Sequence, residues 1–432
     1  MSRCKLGDLI DVTRGTSLQG KNYSEEGKLI RLTLGNFDSK GGFKENTAKK
    51  DIYYIGNVKK EFILQKGDMI TPLTEQTFGL LGSMARIPES NKYIQSQDIG
   101  LIKCKKEKIE DSFCYYLISS NLVRKQLSAA AQQTKIRHTS PDKIKDVIVD
   151  IPELDYQKKA GKILDYITYK IENNNKINEE LESMAKTIYD YWFLQFEFPN
   201  EEGKPYKSSG GKMVWNEELK REIPEGWECK KLKQCIQHIN TGLNPRNNFV
   251  LGKGNIKYIT VKNITENGTL DFLDCDTIDE TARKIINKRS NVSKGDILFA
   301  SIAPLGRCFL VQENPYTWDI NESVFSIRPD YKNMTSEYLY MYLISPYFIK
   351  KAEYSSTGSV FNGIRISTLE NVNILVPSSE IMIKFKEKIS NLLYVKHCNE
   401  LESNELAELR DFLLPLLMNG QVRFRELVLA ED

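Results

Sequence analysis

The residues that could do covalent chemistry are few and scattered. Histidines stand only at positions 138, 238 and 397, in unrelated settings, so none is predicted to act as a catalytic base. Asn314-Pro315-Tyr316 comes near the Asn-Pro-Pro-Tyr motif of adenine methyltransferases, but it lacks the second proline and is better interpreted as a turn. The sequence has no GxxxxGK[ST] loop for nucleotide phosphates and no glycine-rich loop for S-adenosylmethionine. We therefore expect no catalytic residue and no metal site.

Six polar, turn-rich segments instead carry side chains that suit hydrogen bonding to DNA. They cover residues 14–21, 76–77, 132–138, 241–248, 301–307 and 358–365. Arginine and lysine match guanine edges and phosphates, whereas asparagine and glutamine match adenine edges. One such segment alone is more often a solvated loop, but the segments recur in both halves of the chain. We expect DNA contacts from Arg14, Thr16, Lys21, Gln76, Gln133, Lys135, Arg137, Asn244, Arg246, Lys262, Arg307, Asn362 and Arg365.

These segments recur because the chain is a tandem repeat. KLGDLI at 5–10 recurs as KLKQCI at 231–236, KGDMI at 66–70 as KGDIL at 294–298, and YLISS at 116–120 as YLISP at 342–346. Each half then closes with an apolar stretch that ends in proline, at 147–152 and 372–377. The offset stays within 225–228 residues and the order is the same. The two halves are therefore predicted to share one fold.

Each half combines short strands with helices. The runs at 53–55, 99–103, 257–261 and 296–300 are β-like and bounded by Gly, Asn and Pro turns. Residues 111–131 and 336–353 have aromatic and aliphatic residues at helical spacing. We interpret both halves as α+β domains.

After each proline the apolar period becomes helical and predicts two long helices that pair. The first stripe is Leu164, Ile167, Ile171, Asn174, Ile177, Leu181, Met184 and Ile188. The second is Ile389, Leu392, Lys396, Asn399, Glu402, Leu406, Leu409 and Leu413, and its polar members make it less regular. A buried asparagine fixes register in coiled coils, so Asn174 and Asn399 are expected to face each other across the helix pair. The alternative is that both lie at a solvated edge.

These patterns divide the chain into six parts. We predict a first domain at 1–152, a central helical region at 153–197, a linker at 198–227, a second domain at 228–377, a C-terminal helical region at 378–420 and a tail at 421–432. The first domain carries 25 Lys/Arg against 18 Asp/Glu and the second 18 against 15, whereas the remainder is acidic. Basic domains between acidic segments suit DNA-facing and protein-facing parts, although the imbalance is small.

Several longer runs resemble one family. They are AKTIYDYWF at 185–193, FEFP at 196–199, GKPYKSSGGKM at 203–213, REIPEGWE at 221–228 and LLPLLMNG at 413–420. The first four resemble the central region of type I restriction–modification specificity subunits, and the last resembles their C-terminal ending. The resemblance covers the whole chain in order.

The resemblance implies an α+β fold with two tandem α/β target-recognition domains, separated by two long helices that pair as an antiparallel coiled coil with pseudo-twofold symmetry. It also implies a bipartite DNA target, with one block for each domain. Two modification subunits with S-adenosylmethionine would methylate adenine, and restriction subunits, where a system has them, would use ATP and Mg. The chain itself would hold no cofactor and perform no catalysis.

Two other functions stay open at this point. A stand-alone or fused DNA methyltransferase would need the cofactor and Asn-Pro-Pro-Tyr motifs that the sequence lacks. A non-enzymatic protein that bridges DNA through its repeats would have no methyltransferase partner. No run approaches the roughly twenty apolar residues of a membrane span, and the eight cysteines are scattered without a CxxC pair. A cytoplasmic location is therefore expected.

Overall fold

The computed structural model describes residues 1–38, 41–46, 50–75, 79–130, 137–272, 274–356 and 363–424, with the backbone alone for 353–356. Contacts divide the chain into two units, Met1–Glu172 with Ser403–Asp432, and Asn173–Glu402. Each unit contains one of the two predicted domains and a part of each long helix.

The first domain is built on two four-stranded sheets. One sheet has the order Ile10–Arg14, Ile99–Cys104, Met69–Pro72 and Ala85–Arg86, with antiparallel pairing throughout. The other has the order Tyr23–Ser24, Tyr53–Tyr54, Leu29–Arg31 and Tyr93–Ile94, and its last pair is parallel. Two-stranded pairs join Ser2–Lys5 to Ile148–Ile151 and Thr74–Glu75 to Arg137–His138.

Three helices complete the first domain, and its core lies against the helical region. They are Asp111–Ser119, Asn121–Ala130 and Pro141–Lys145, so the single helix predicted at 111–131 is two helices separated at Ser120. The buried face of Asp111–Ser119 packs with Leu164, Leu417 and Met418 in one hydrophobic cluster. Single 3-10 turns lie at Leu6–Asp8, Gly20–Asn22, Leu34–Asn36 and Lys60–Phe62.

A polar network fixes the first domain to the first long helix. Arg86 Nη1 lies 2.9 Å from Asp165 Oδ1, and the Tyr116 hydroxyl donates to Asp165 at 3.0 Å. Ser112 also donates to Asp165, and the Tyr116 hydroxyl lies 2.9 Å from the Thr168 hydroxyl. Because these partners are half-buried, the network restricts how the domain can turn on its helix.

The second domain repeats the strand order of the first. Its main sheet has the order Ile236–Thr241, Val324–Pro329, Ile297–Ala300 and Cys308–Leu310, all antiparallel. A three-stranded sheet has the order Asp276–Ile278, Ile256–Ile259 and Trp318–Ile320, with an antiparallel pair followed by a parallel one. Glu228–Lys231 pairs with Asn373–Val376, as Ser2–Lys5 pairs with Ile148–Ile151. The repeat in the sequence is thus a repeat of topology.

The helices of the second domain also follow the first, with one addition. Ser336–Leu343, Pro346–Ser356 and Ile366–Glu370 occupy the corresponding chain positions, with 3-10 turns at Leu232–Gln234 and Val261–Asn263. The addition is the helix Glu280–Ser290, whereas residues 55–68 of the first domain contain only the 3-10 turn Lys60–Phe62. Within 198–227 the chain also forms an antiparallel hairpin of Met213–Asn216 and Arg221–Pro224.

Two long helices run through both units. The first is Leu154–Tyr189, which continues as a π-helix over Asp190–Leu194, and the second is Ser379–Met418. In the second unit, Asn178 contacts Asn399, Glu182 contacts Lys396, and the Tyr189 ring lies 6.2 Å from Phe385. Because the residue number falls on one helix as it rises on the other, the helices are antiparallel.

The buried face of the first long helix differs from the predicted stripe. Ile177 and Met184 were assigned to it, but they are 39% and 50% exposed, whereas Asn178 and Ala185 are buried. The stripe advanced by about 3.5 residues per turn, whereas an α-helix has about 3.6, so its later members drift off the contact face. Leu409 of the second stripe is 44% exposed and was also assigned wrongly.

The asparagines lie within the helix pair. Asn174 is 1% exposed, and its Nδ2 donates to Glu402 Oε2 at 2.7 Å and to the main-chain oxygen of Asn399 at 3.5 Å. The Asn399 amide does not bond to the Asn174 side chain but donates to Asn178 Oδ1 at 2.9 Å. Asn178 was not part of the predicted stripe. Hydrogen bonds between polar side chains therefore connect the two long helices over about two turns.

Lys396 is buried because three acceptors surround its ammonium group. Its Nζ lies 3.2 Å from Glu400 Oε1 and 3.6 Å from Glu182 Oε2, and it donates to the main-chain oxygen of Asn267. Burial raises the pKa of Glu400 to about 7, against the lowering effect of Lys396. The lysine that interrupts the predicted stripe thus connects both long helices to a turn of the second domain.

Candidate nucleic-acid interface

In both domains a polar segment begins at the carboxyl end of the equivalent strand of the main sheet. Ile10–Arg14 leads into residues 14–21, and Ile236–Thr241 leads into residues 241–248. Thr16 N donates to Gln95 O at 3.0 Å, and Gly242 N donates to Asn321 O at 3.1 Å. Each segment is therefore fixed to a neighbouring main chain where it leaves the sheet.

Glycine is required at both of these exits. A Cβ on Gly15 would lie 2.3 Å from Gln95 O, and one on Gly242 would lie 1.7 Å from Ile320 O. Contacts this short are far inside van der Waals distance. The two glycines are 227 positions apart, within the offset of the repeat. Sequence reasoning missed this pair, although the repeat offset could have found it.

A second shared feature is a turn closed by a buried asparagine. In the first domain Asn36 Oδ1 accepts from Thr33 N at 2.9 Å, and its Nδ2 donates to Lys44 O at 3.2 Å. In the second domain Asn263 accepts from Thr260 N at 2.9 Å and donates to Asp271 O at 3.2 Å. The pattern Thr-x-x-Asn was not recognised in the sequence, and it holds one predicted contact residue, Lys262, exposed on the turn.

A third shared feature explains the Lys-Gly-Asp motif. Asp68 Oδ2 accepts from Gln65 N at 2.8 Å, and Asp296 Oδ2 accepts from Ser293 N at 3.0 Å. Each aspartate also pairs with a cation, Lys103 at 2.5 Å in one domain and Arg328 at 2.7 Å in the other. The aspartate of the motif therefore stabilises a turn before a central strand.

The predicted contact residues divide by exposure. Arg14, Lys21, Arg246, Lys262 and Arg365 are exposed, and within the described chain none of them forms an ion pair. Thr16 and Asn244 are half-buried, and the main-chain oxygen of Asn244 accepts from Asn248 Nδ2 at 2.9 Å. The predictions at Gln76, Gln133, Lys135 and Asn362 lie outside the described residues.

Two predicted arginines have partners inside the protein. Arg137 Nη1 lies 3.2 Å from Glu75 Oε1, and its Nη2 donates to the Ser128 hydroxyl at 3.0 Å. Glu75 is 1% exposed, and its Oε2 accepts from the main-chain nitrogens of Gly79, Leu80 and Leu81 at 2.8–3.0 Å. Arg307 Nη2 donates to Glu266 at 3.2 Å. Arg137 is thus held by a buried carboxylate, whereas the partner of Arg307 is an exposed one, with Glu266 80% exposed.

The histidines form no shared site. Burial and the neighbouring Arg328 lower the pKa of His238, and burial lowers the pKa of His397, so both rings are neutral at pH 7.

Among the described residues, no three His, Cys, Asp or Glu side chains are grouped so as to hold a metal ion. No helix in the described chain is both long enough and apolar enough to cross a membrane.

The helix Glu280–Ser290 is a basic feature that sequence analysis overlooked. It carries Arg283, Lys284, Lys288 and Arg289 against one acidic residue, Glu280. With Asn240 it lines an open cleft of about 760 Å³. The N-cap Asp279, which accepts from Ala282 N at 2.8 Å, was the available sequence signal for this helix.

Comparisons with known proteins agree with this architecture. A curated relative, the specificity subunit of type I restriction enzyme MjaIX from Methanocaldococcus jannaschii, is 26% identical over 74% of this chain and 71% of its own length. The HindI specificity subunit of Haemophilus influenzae is 23% identical over 77% of this chain and 82% of its own length. The crystal structure of a type I restriction-modification system S subunit from M. genitalium shares the fold, with a TM-score of 0.60 at 16% identity over 96% of this chain and 95% of that one.

A family model described as the type I restriction modification DNA specificity domain matches this chain twice. The matched segments are residues 2–183 and 224–411, one for each half of the repeat. Together they cover most of the chain, and each match includes one of its two domains. The protein therefore belongs to the family of type I restriction modification DNA specificity domain proteins.

Proposed function

We propose that this chain is the DNA-binding specificity subunit of a type I restriction–modification complex. It recognises a bipartite target, with one block of bases for each domain, and it serves as the scaffold for two adenine methyltransferase subunits. Restriction subunits join the complex in systems that have them. S-adenosylmethionine, ATP and Mg belong to those partners.

The observation that carries the proposal is the repeated exit from the main sheet. Gly15 and Gly242 each allow a polar segment to leave the sheet against a neighbouring main chain. An exposed arginine, Arg14, directly precedes the first exit, and another, Arg246, follows the second exit by four residues. A fixed frame that presents polar segments of different sequence in its two copies suits recognition of base edges, because the frame sets the position and the segment sets the hydrogen bonds.

The scaffold role is supported by the relatives and by the helix pair. The curated relatives are named as specificity subunits of type I restriction enzymes. The long helices expose apolar side chains such as Ile177, Met184 and Leu409. Large apolar side chains on an exposed helix face are suited to contact with partner subunits.

The first test reconstitutes methylation. The purified full chain with S-adenosylmethionine and DNA should transfer no methyl groups, and addition of its modification subunit should produce transfer to adenine. The modification subunit alone is the control and should show no sequence preference. Methylation by the chain alone would instead identify it as a stand-alone methyltransferase. DNA binding without any methyltransferase partner would favour a bridging protein.

The second test exchanges one domain. Replacing residues 1–152 with the equivalent domain of a relative should change one half of the methylated motif and preserve the other half. Sequencing of methylated bases in a host that carries each version gives both halves directly. If both halves change together, the domains do not recognise separate blocks and the bipartite assignment is wrong.

A further inference from the structure

The basic helix Glu280–Ser290 is held rigidly by its inner face. Ile286 and Ala282 are buried in a hydrophobic cluster with Ile256, Tyr258 and Ile278. Its Ser290 hydroxyl donates to Asp319 Oδ1 at 2.7 Å, and Asp319 is 1% exposed. The outer face therefore has a fixed position in the second domain.

The outer face concentrates positive charge that the protein does not neutralise. Arg283 is engaged, because its Nη2 donates to Pro315 O at 2.6 Å and its Nη1 lies 3.7 Å from Glu280. Lys284, Lys288 and Arg289 are exposed, and none of them forms an ion pair in the described part of the chain. Like charges one helical turn apart repel each other, so this face is less stable alone than with a bound anion.

The charges are not needed to complete the end of the helix. Cations near a helix C-terminus can bond to its free carbonyl groups. Here Asn240 Nδ2 donates to Ser290 O at 3.4 Å, and Arg328 Nη2 donates to Asn291 O at 2.7 Å. The carbonyls of Ser290 and Asn291 are thus occupied by residues from outside the helix, and Lys288 and Arg289 line the cleft with Asn240.

The cleft also adjoins the polar segment of the second domain. Asn240 is the next-to-last residue of the strand Ile236–Thr241, directly before residues 241–248. Lys284 and Lys288 lie about 6 Å apart along the helix axis at about 1.5 Å per residue. Two ammonium groups this far apart can bind different phosphates of one DNA strand, which follow at about 3.4 Å along the duplex axis.

We propose that Lys284, Lys288 and Arg289 bind the phosphates of the DNA backbone beside the block that the second domain recognises. The inference rests on the proposed function. The helix that presents these cations has no counterpart at residues 55–68 of the first domain, which contain only the 3-10 turn Lys60–Phe62.

The experiment uses the full chain assembled with its modification subunits. The test variant is Lys284→Gln/Lys288→Gln, which keeps helix-forming residues at two exposed positions. The control is Lys233→Gln/Lys332→Gln, which removes two exposed lysines near the opposite end of the strand pair Ile236–Thr241 and Val324–Pro329. A third variant, Lys284→Arg/Lys288→Arg, keeps the charge. Binding is measured between 50 and 200 mM salt on a target duplex and on an unrelated duplex.

Each phosphate contact contributes about 0.9 to the slope of log affinity against log salt concentration. The test variant should lower the slope by one to two. Over this fourfold salt range, its loss of affinity should therefore be about 4 to 16 times smaller than that of the wild type. It should weaken both duplexes alike, and the control and the arginine variant should retain the wild-type slope. An unchanged slope, a loss confined to the target duplex, or a loss of methyltransferase assembly instead of DNA binding would each overturn the inference.

The outcome separates this inference from the proposed function. If the wild-type complex binds both duplexes equally, the specificity assignment fails, whereas a lower slope in the test variant would still place phosphates at this helix. If the wild type prefers its target and the test variant retains the slope, only the phosphate assignment fails.

Discussion

Replacing Lys396 by methionine tests the polar groups buried between the long helices. The Lys396 side chain is 7% exposed, and those of Glu400 and Glu182 are 14% and 21% exposed. Methionine fills most of the space of the lysine side chain, but it leaves the Glu400 carboxylate and the Asn267 carbonyl without their cation, while Glu182 keeps Lys186 at 2.6 Å. Removing one partner of a buried ion pair costs about 3–5 kcal/mol. Because Glu182 retains some contact with water, we expect a loss of about 2–4 kcal/mol in the free energy of unfolding.

Urea unfolding of the full chain measures this loss, and the same helix provides a matched control. Lys384 pairs with Glu380 at 2.6 Å, and their side chains are 41% and 73% exposed. Lys384→Met should therefore cost about 0.5 kcal/mol or less, as exposed pairs one turn apart do. The variant Lys396→Met/Glu182→Gln/Glu400→Gln should recover most of the loss, because it removes the Glu400 carboxylate that Lys396→Met leaves without a cation. It also removes the Glu182 carboxylate, which would then have only Lys186.

The pH dependence provides an independent reading of the same site. Burial raises the pKa of Glu400 from 4.5 to about 7. The folded chain therefore holds a proton that the unfolded chain releases between these values, so stability is lost as the pH rises from about 4.5 to 7. The change amounts to at most about 3 kcal/mol. The variant Glu400→Gln should remove this pH dependence while the rest of the unfolding profile stays similar.

Two results would refute the reasoning. A cost below about 1 kcal/mol for Lys396→Met would show that water screens the three groups despite their burial. A triple variant no more stable than Lys396→Met would show that the loss comes from packing and not from uncompensated charge.

Three further predictions concern the domains. Gly15→Ala should lower the free energy of unfolding by about 1–3 kcal/mol, because the new Cβ would overlap Gln95 O. Gly20→Ala, in the same segment, is the control and should be nearly neutral, because no atom lies within 4 Å of its Cβ. Thermal unfolding compares the two variants. Asn36→Ala and Asn263→Ala should each lower the free energy of unfolding by about 1–3 kcal/mol, because each leaves main-chain groups unpaired. Urea unfolding measures both losses, and clearly unequal midpoints would contradict a frame shared by the two domains. Arg137→Ala should lower the free energy of unfolding by about 1–3 kcal/mol, whereas Arg14→Ala should change it by less than about 0.5 kcal/mol and reduce DNA binding.

Much of the fold was predictable because the repeat and the apolar periods are strong signals. The strand predicted at 99–103 and the apolar stretches before each proline were confirmed within one or two residues, as was the second long helix. The first long helix begins where it was predicted but ends at Leu194 and not at 197. Local periodicity did not predict the break at Ser120, where a β-region conformation ends Asp111–Ser119. The predicted contact face of the long helices was partly wrong. Asn178 is buried at an inner position that the apolar stripe assigned to Ile177.

The candidate interface was less predictable because residue type does not reveal whether a charge is already paired. Arg137 and Arg14 look alike in the sequence, yet one is held by the buried Glu75 and the other is exposed. The helix Glu280–Ser290 was missed because only Ala282 and Ile286 mark its apolar face, which is too short for a period. Lys396 was seen as an irregularity, because two of its three partners, Glu182 and Asn267, come from distant parts of the chain.

In each domain, buried polar residues fix the turns of the frame, and the polar segments present exposed side chains. The buried Asn36 and Asn263 and the paired Asp68 and Asp296 satisfy main-chain groups inside the domain, so the turns do not depend on what the exposed segments contain. Substitutions at exposed positions such as Arg246 usually change stability by less than about 0.5 kcal/mol. The exposed residues can therefore change without unfolding the domain that presents them. Because the same frame occurs twice, substitutions in the exposed segments of one domain leave the buried frame of the other unchanged.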